Sequence, residues 1–158
     1  MQVRAMSKEH EPGMSLIVKT VTRLTIGLIF LYGIYIVLHG HLTPGGGFAG
    51  GVIVALSFIN LTLAFGGSAS SKVFSLDAAH MVEALGAIMF LAIALLGLQW
   101  GGFFDNFLRS DGEPGMLVSA GIIPLANIAI CMKVGAGIFA IFLTLIVIQK
   151  FEGEGRNR

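Results

Sequence analysis

Glu83 and Lys133 each interrupt a long stretch of apolar residues, and His39, His41 and His80 lie near the ends of such stretches. An ionisable group inside an apolar helix is costly unless it is neutral, paired or facing a wet cavity, so Glu83 is a candidate for holding a cation or relaying a proton. His80 precedes it by three residues, which puts both on one helical face. Imidazole titrates near neutrality, so a carboxylate and an imidazole at this spacing can pass a proton between them. A second reading stands beside this one, in which Glu83 lies in the headgroup zone with Asp77 and His80. Lys133 reads as nearer the outer half of its own block. A direct ion pair with Glu83 therefore requires a shifted or tilted span, and the expectation is that Lys133 meets a carboxylate on a partner subunit or snorkels outward.

The three histidines invite a haem or metal reading, but His39 and His41 stand at the outer end of one block and His80 near the inner start of another. That separation is roughly 30 Å, whereas metal ligands must lie within about 2 Å of the metal. No metal and no cofactor is expected, and each histidine is either a capping or interfacial residue or a participant in proton exchange. No Ser/His/Asp set, paired catalytic carboxylates or CxxC occurs, so no enzyme site is expected. The single cysteine, Cys131, lies in an apolar stretch and reads as a small hydrophobe.

The most distinctive string is HGHLTPGGGFAGG, beginning at His39. Gly45-x-Gly47-x-x-Gly50 matches the dinucleotide fingerprint in form only, because an apolar helix rather than a strand precedes it and Ser70 stands where the ribose-binding acid belongs. Pro44 stops or starts a helix, and Gly45 and Gly46 permit a tight turn. Gly46 with Gly50, and Gly47 with Gly51, fall at small-xxx-small spacing on one helical face, where another helix can approach closely.

The elements that must position these residues are membrane helices. Of 158 residues 55% are hydrophobic and only 12% charged, about half the charged share of a soluble domain, and the mean hydropathy is +0.86. A span needs roughly 20 residues of helix, and spans are expected over about residues 15–38, 47–65, 76–98 and 128–148, in one all-α bundle with short loops. Residues 1–14 form a polar tail and 150–158 a charged one. A retained first span is expected rather than a signal peptide, since no small-x-small cleavage site follows it. Pro124 breaks or starts the last helix, with residues 117–127 as an interfacial or re-entrant lead-in. Arg4, Lys8, Lys19, Arg23, Lys72, Lys150, Arg156 and Arg158 gather on one side and Arg109 on the other, so both termini are expected in the cytoplasm of a multi-pass cell-membrane protein. Trp100 suits the headgroups, and Asp105, Asp111 and Glu113 suit water in the long connection after the third span. A net charge of +1 without a basic, aromatic-studded patch excludes nucleic acid as a partner.

The run YIVLHGHLTPGGGFAGG, Tyr35 to Gly51, resembles the signature hairpin of the MnhB family, also called MrpB. Pro124-Leu-Ala-Asn127 followed by MKVGAG from Met132 is similar to that family's final span, and with helix count and spacing the likeness covers about residues 15–149. Where that family carries glutamine after the phenylalanine, this chain has Ala49 after Phe48, which removes a polar side chain from the motif. The resemblance implies an accessory, non-redox subunit of a multisubunit sodium/proton antiporter. That module is either a standalone Mrp complex or is joined to a hydrogenase-like or sulfur-reducing respiratory complex. It further implies other membrane subunits, sodium ions, protons and the lipid bilayer as partners. The alternative is a membrane anchor with no role in ion translocation.

Overall fold

The computed structural model describes residues 14–66, 74–108 and 119–155, with side chains up to Gln149. The expectations for residues 1–13, for Lys72, Arg109, Asp111, Glu113 and Pro114, and for Arg156 and Arg158 lie outside the described residues. Within them the chain is an all-α bundle of four helices: α1 (Leu16–Leu38), α2 (Gly46–Phe65), α3 (Leu76–Gly97) and α4 (Ile123–Gly155). All four are long and apolar enough to cross a membrane.

Each helix is apolar nearly all round, the pattern of a segment whose surroundings are lipid or other protein rather than water. The large side chains of α1 point mostly outward, Leu24, Leu28 and Leu31 among them, while its buried residues are Gly33 and Val37. With lipid outside, apolar burial gives little drive to assemble, so the helices are joined where small residues let backbones meet. Gly33 of α1 crosses Gly50 of α2, and Gly51 of α2 crosses Gly135 of α4. A side-chain Cβ at Gly51 would lie 3.0 Å from the Cys131 carbonyl oxygen, and one at Gly135 would lie 3.1 Å from that of Gly51. The sequence pattern places Gly46, Gly47, Gly50 and Gly51 on a single packing face. The structure divides them: Gly46, Gly47 and Gly51 face α4, and Gly50 faces Gly33 and Val37 of α1.

The helix ends follow local chemistry. Ser75 caps α3, its hydroxyl oxygen accepting the Ala78 N–H at 3.2 Å. After α3 the chain folds back, the Phe104 N–H donating to the Ala94 carbonyl oxygen at 3.2 Å. The Asn106 side-chain oxygen accepts the Ile122 N–H at 3.2 Å just ahead of α4.

This start corrects the expected last span. Helix α4 begins at Ile123, five residues before the expected Ile128, and there is no re-entrant lead-in between Ile123 and Asn127. Pro124 falls in the first turn, where the missing N–H has no intrahelical partner to lose, so proline starts the helix rather than breaking it.

Aromatic packing closes one end of the bundle. Phe58 of α2, Phe74 ahead of α3 and Phe139 of α4 form a triangle with ring centroids 5.5–5.7 Å apart, over Ala79, Ala140 and Leu143. At the same end of α2, Phe65 lies beneath two cations of α1, with Lys19 Nζ at 5.9 Å and the Arg23 guanidinium at 5.3 Å from its ring centroid.

Candidate functional site

The first constellation is the α1–α2 hairpin. After Leu38 the chain turns through His39 to Gly45, with the Thr43 hydroxyl donating to the His39 carbonyl oxygen at 3.0 Å and the Leu42 N–H to the same oxygen at 2.8 Å. Gly45 has φ 114° and Gly46 φ 45°, conformations that a Cβ disfavours, so the glycines after Pro44 are required by the turn itself. The His39 ring stacks on Tyr35 with centroids 4.2 Å apart, and its Nδ1 lies 3.0 Å from the Tyr35 carbonyl oxygen. Phe48 points away from the bundle and is exposed.

Asn127 of α4 inserts into this turn. Its side-chain oxygen accepts the Gly47 N–H at 3.2 Å, and side chains at Gly40, Gly46 or Gly47 would collide with it. The two motifs singled out from sequence, some 80 residues apart, are therefore one joint. Both ring nitrogens of His41, and the amide nitrogen of Asn127, are buried without a hydrogen-bond partner among the described residues. Groups of this kind take a partner from water or another chain, since each one left unpaired costs about 1–3 kcal/mol.

The second constellation is the charged face of α3 and α4. Lys133 Nζ donates to Glu83 Oε1 at 3.3 Å, which corrects the expectation that Lys133 turns elsewhere. The reason is the earlier start of α4. Gly86, ten residues after Leu76 and eleven before Gly97, is the midpoint of α3, and the Lys133 backbone lies directly against it. Lys133 thus enters halfway along α3, and its side chain runs toward Glu83, which is seven residues, or roughly 10 Å, into that helix. Gly137 leaves room beside the Glu83 carboxyl group. On the other side, His80 Nδ1 is 3.9 Å from Glu83 Oε2.

The three side chains open to one face, with exposures of 58% for His80, 34% for Glu83 and 53% for Lys133. A groove of about 290 Å³ lies between α3 and α4 beside His80, Glu83, Ile141 and Thr144. A second of about 300 Å³ lies beside Gly86, Phe90 and Lys133, so the ion pair joins the two. Chemically, a carboxylate so placed can exchange its lysine partner for another cation, or take a proton from the imidazole.

Of the residues anticipated from sequence, His80, Glu83 and Lys133 come together here, while His39, His41, Pro44 and Asn127 gather at the hairpin. Sequence reasoning missed Gly86, Thr144 and Asn106. Gly86, one turn after Glu83, was the available signal for a helix crossing beside the carboxylate.

Known proteins share this sequence and fold. Residues 17–140 match the family described as a domain related to the MnhB subunit of Na+/H+ antiporter. An uncharacterised protein of Methanocaldococcus jannaschii is 39% identical over 133 residues, 78% of this chain and 50% of that one. A Na+/H+ antiporter polypeptide of Bacillus subtilis is 33% identical over 139 residues, 88% of this chain and 94% of that one. In the structure of the membrane-bound sulfane sulfur reductase, an archaeal respiratory membrane complex, one chain superposes with a TM-score of 0.69 at 33% identity, over 84% of this chain and 57% of that chain. The present chain thus spans about half the length of the archaeal relatives and nearly all of the bacterial one.

Proposed function

The chain belongs to the family of domains related to the MnhB subunit of Na+/H+ antiporters, and on that premise we propose that it is an accessory, non-catalytic subunit of a multisubunit cation/proton antiporter module, with His80, Glu83 and Lys133 contributing to the sodium or proton path. The likeness to a chain of a respiratory membrane complex supports a module joined to a redox complex as well as a standalone one. Other membrane subunits, sodium ions, protons and the bilayer are the partners this role requires. Both termini lie in the cytoplasm on this reading, because an even number of spans returns the chain to its starting side and Lys19, Arg23 and Lys150 fall on that side.

The observation that carries the proposal is the Glu83–Lys133 pair between two apolar helices, seven residues into α3 and ten into α4. An ionised pair inside a bilayer is expensive to keep, and a subunit that only anchored its complex would be as well served by two apolar residues. Here the ammonium group of Lys133 occupies one oxygen of Glu83, and a sodium ion or proton reaching Glu83 displaces it. His80, on the neighbouring oxygen, hands the carboxyl a proton or takes one from it.

Glu83→Gln tests this, since the amide keeps size and hydrogen bonding but carries no charge and releases no proton. The measurement is sodium-dependent proton movement in membrane vesicles bearing the intact complex. Assembly is expected to survive, and coupled transport to fall by about tenfold or more, the equivalent of one charge-assisted hydrogen bond of about 1.5–3 kcal/mol. Unchanged transport across the pH range in an assembled complex would leave this subunit a scaffold.

A further inference from the structure

The Glu83–Lys133 pair lies off-centre, and its position gives the site one entrance. Glu83 is roughly 10 Å from the start of α3 and roughly 21 Å from its end at Gly97. Helix α4 runs antiparallel beside it, with Gly137 at the Glu83 carboxyl group and Leu143 packed with Ala79. The groove of about 290 Å³ extends from Glu83 and Gly137 past His80 to Thr144 and Leu145. Thr144 is two turns beyond Gly137, again roughly 10 Å, so the groove covers the distance between the carboxylate and the end of the bundle where α3 begins.

Polar groups are spaced along that distance. Asp77, His80 and Glu83 follow at intervals of three residues on one side of α3, and Asp77 is exposed in the first turn. Across the seam the Thr144 hydroxyl donates to the Ala140 carbonyl oxygen at 2.9 Å, which leaves its oxygen free to accept from water or to touch a cation. Past the pair the seam changes character. The backbones of α3 and α4 meet at Gly86, and the groove of about 300 Å³ there is walled by Ala87, Phe90, Ile130 and Val134, with Lys133 its one charged side chain among the described residues. Ionisable groups within a membrane draw water from the nearer surface, whereas an apolar wall gives water nothing to bond. Resting on the function proposed above, we infer that water, and with it sodium ions and protons, reaches Glu83 through the His80–Thr144 groove from the face on which α3 begins, and that the seam beyond Gly86 is dry. Thr144 and His80 are the stops along this entrance. Lys133 stands at its inner end, on one oxygen of Glu83.

Single cysteines in a Cys131→Ala background test this in membrane vesicles bearing the intact complex. The probe is a membrane-impermeant cationic thiosulfonate, added from one face or the other, and labelling is read as the mass of the chain. Thr144→Cys and Ile141→Cys sample the groove, and Leu145→Cys, at 55% exposure beside it, replaces Thr144→Cys if that variant does not assemble. Ala87→Cys and Phe90→Cys, at partly exposed positions, sample the seam beyond Gly86, and Ser70→Cys marks the face on which α3 begins. The groove cysteines are expected to be labelled from the same face as Ser70→Cys, about tenfold or more faster than those beyond Gly86, because the thiolate that forms in water is the reacting species. Unlabelled groove cysteines, as in a groove filled by lipid or by a dry partner helix, would overturn the inference. So would labelling from the opposite face, or equal labelling beyond Gly86. No transport enters this measurement, so an entrance labelled as expected, in a complex whose Glu83→Gln form transports normally, would sink the proposed path and leave the entrance standing.

Discussion

Replacing Gly86 with alanine adds one methyl group, and the structure states where that group goes. The new Cβ would lie 2.7 Å from the Lys133 backbone nitrogen, 2.8 Å from the Ala129 carbonyl oxygen and 3.1 Å from the Met132 Cβ, none of which a rotamer change can move. Ordinary contact begins near 3.4 Å, so α3 and α4 must separate by at least 3.4 − 2.7 = 0.7 Å at this point. Overpacking of this order costs about 1–3 kcal/mol. Separation also stretches the Glu83–Lys133 contact from 3.3 Å to about 4.0 Å, the limit of an ion pair. Gly27→Ala is the matched control, because a Cβ there meets nothing within 4 Å. In mild detergent Gly86→Ala is expected to lower the Tm of the purified complex by about 2–4 °C per kcal/mol lost and Gly27→Ala to leave it unchanged. Gly86→Val should do worse than alanine. A Gly86→Ala complex as stable as the wild type, with unchanged transport, would refute the idea that this glycine sets the spacing of the charged pair.

The hairpin joint gives a second test. Asn127→Ala removes the acceptor of the Gly47 N–H and is expected to cost about 1–3 kcal/mol, while Gly47→Leu meets the backbone of Asn127 and is expected to prevent assembly; both are read by recovery of this chain in the purified complex. The proposed orientation is checked with single cysteines: Ser70→Cys should be labelled from the cytoplasmic side and Asp111→Cys from outside by an impermeant maleimide, and labelling of Ser70→Cys from outside would reverse it.

The bundle was readable from the sequence because its signals are local. Uncharged blocks of about 20 residues announce spans, and Pro44 followed by three glycines announces a tight connection. Glu83 and Lys133 stood out for the same reason, each as a charge within an apolar run. Their pairing did not. It depends on the register of two helices, and that register depends on where α4 begins, which a hydropathy block cannot locate when the block is longer than one span. Pro124 was recognised as a helix start or break, but only the Asn106 contact ahead of it decides for a start at Ile123. Asn127 was noticed as part of a motif, yet nothing near it in sequence reveals that its partner is Gly47.

The pattern of helix contacts bears on how the bundle moves. Along its length α3 leans on α4, whereas α1 and α2 are fastened to each other and α2 also to α4. The Gly33–Gly50 and Gly51–Gly135 crossings and the Asn127 joint all lie outside α3. A shear of α3 along α4 is thus the deformation that leaves the other three helices in register, and packed helices accommodate such sliding in small steps. Such a shear carries Glu83 and His80 past Lys133, like a bolt drawn along a fixed rail, so the distance between carboxylate and ammonium is set by a helix that, among the described residues, leans mainly on one neighbour.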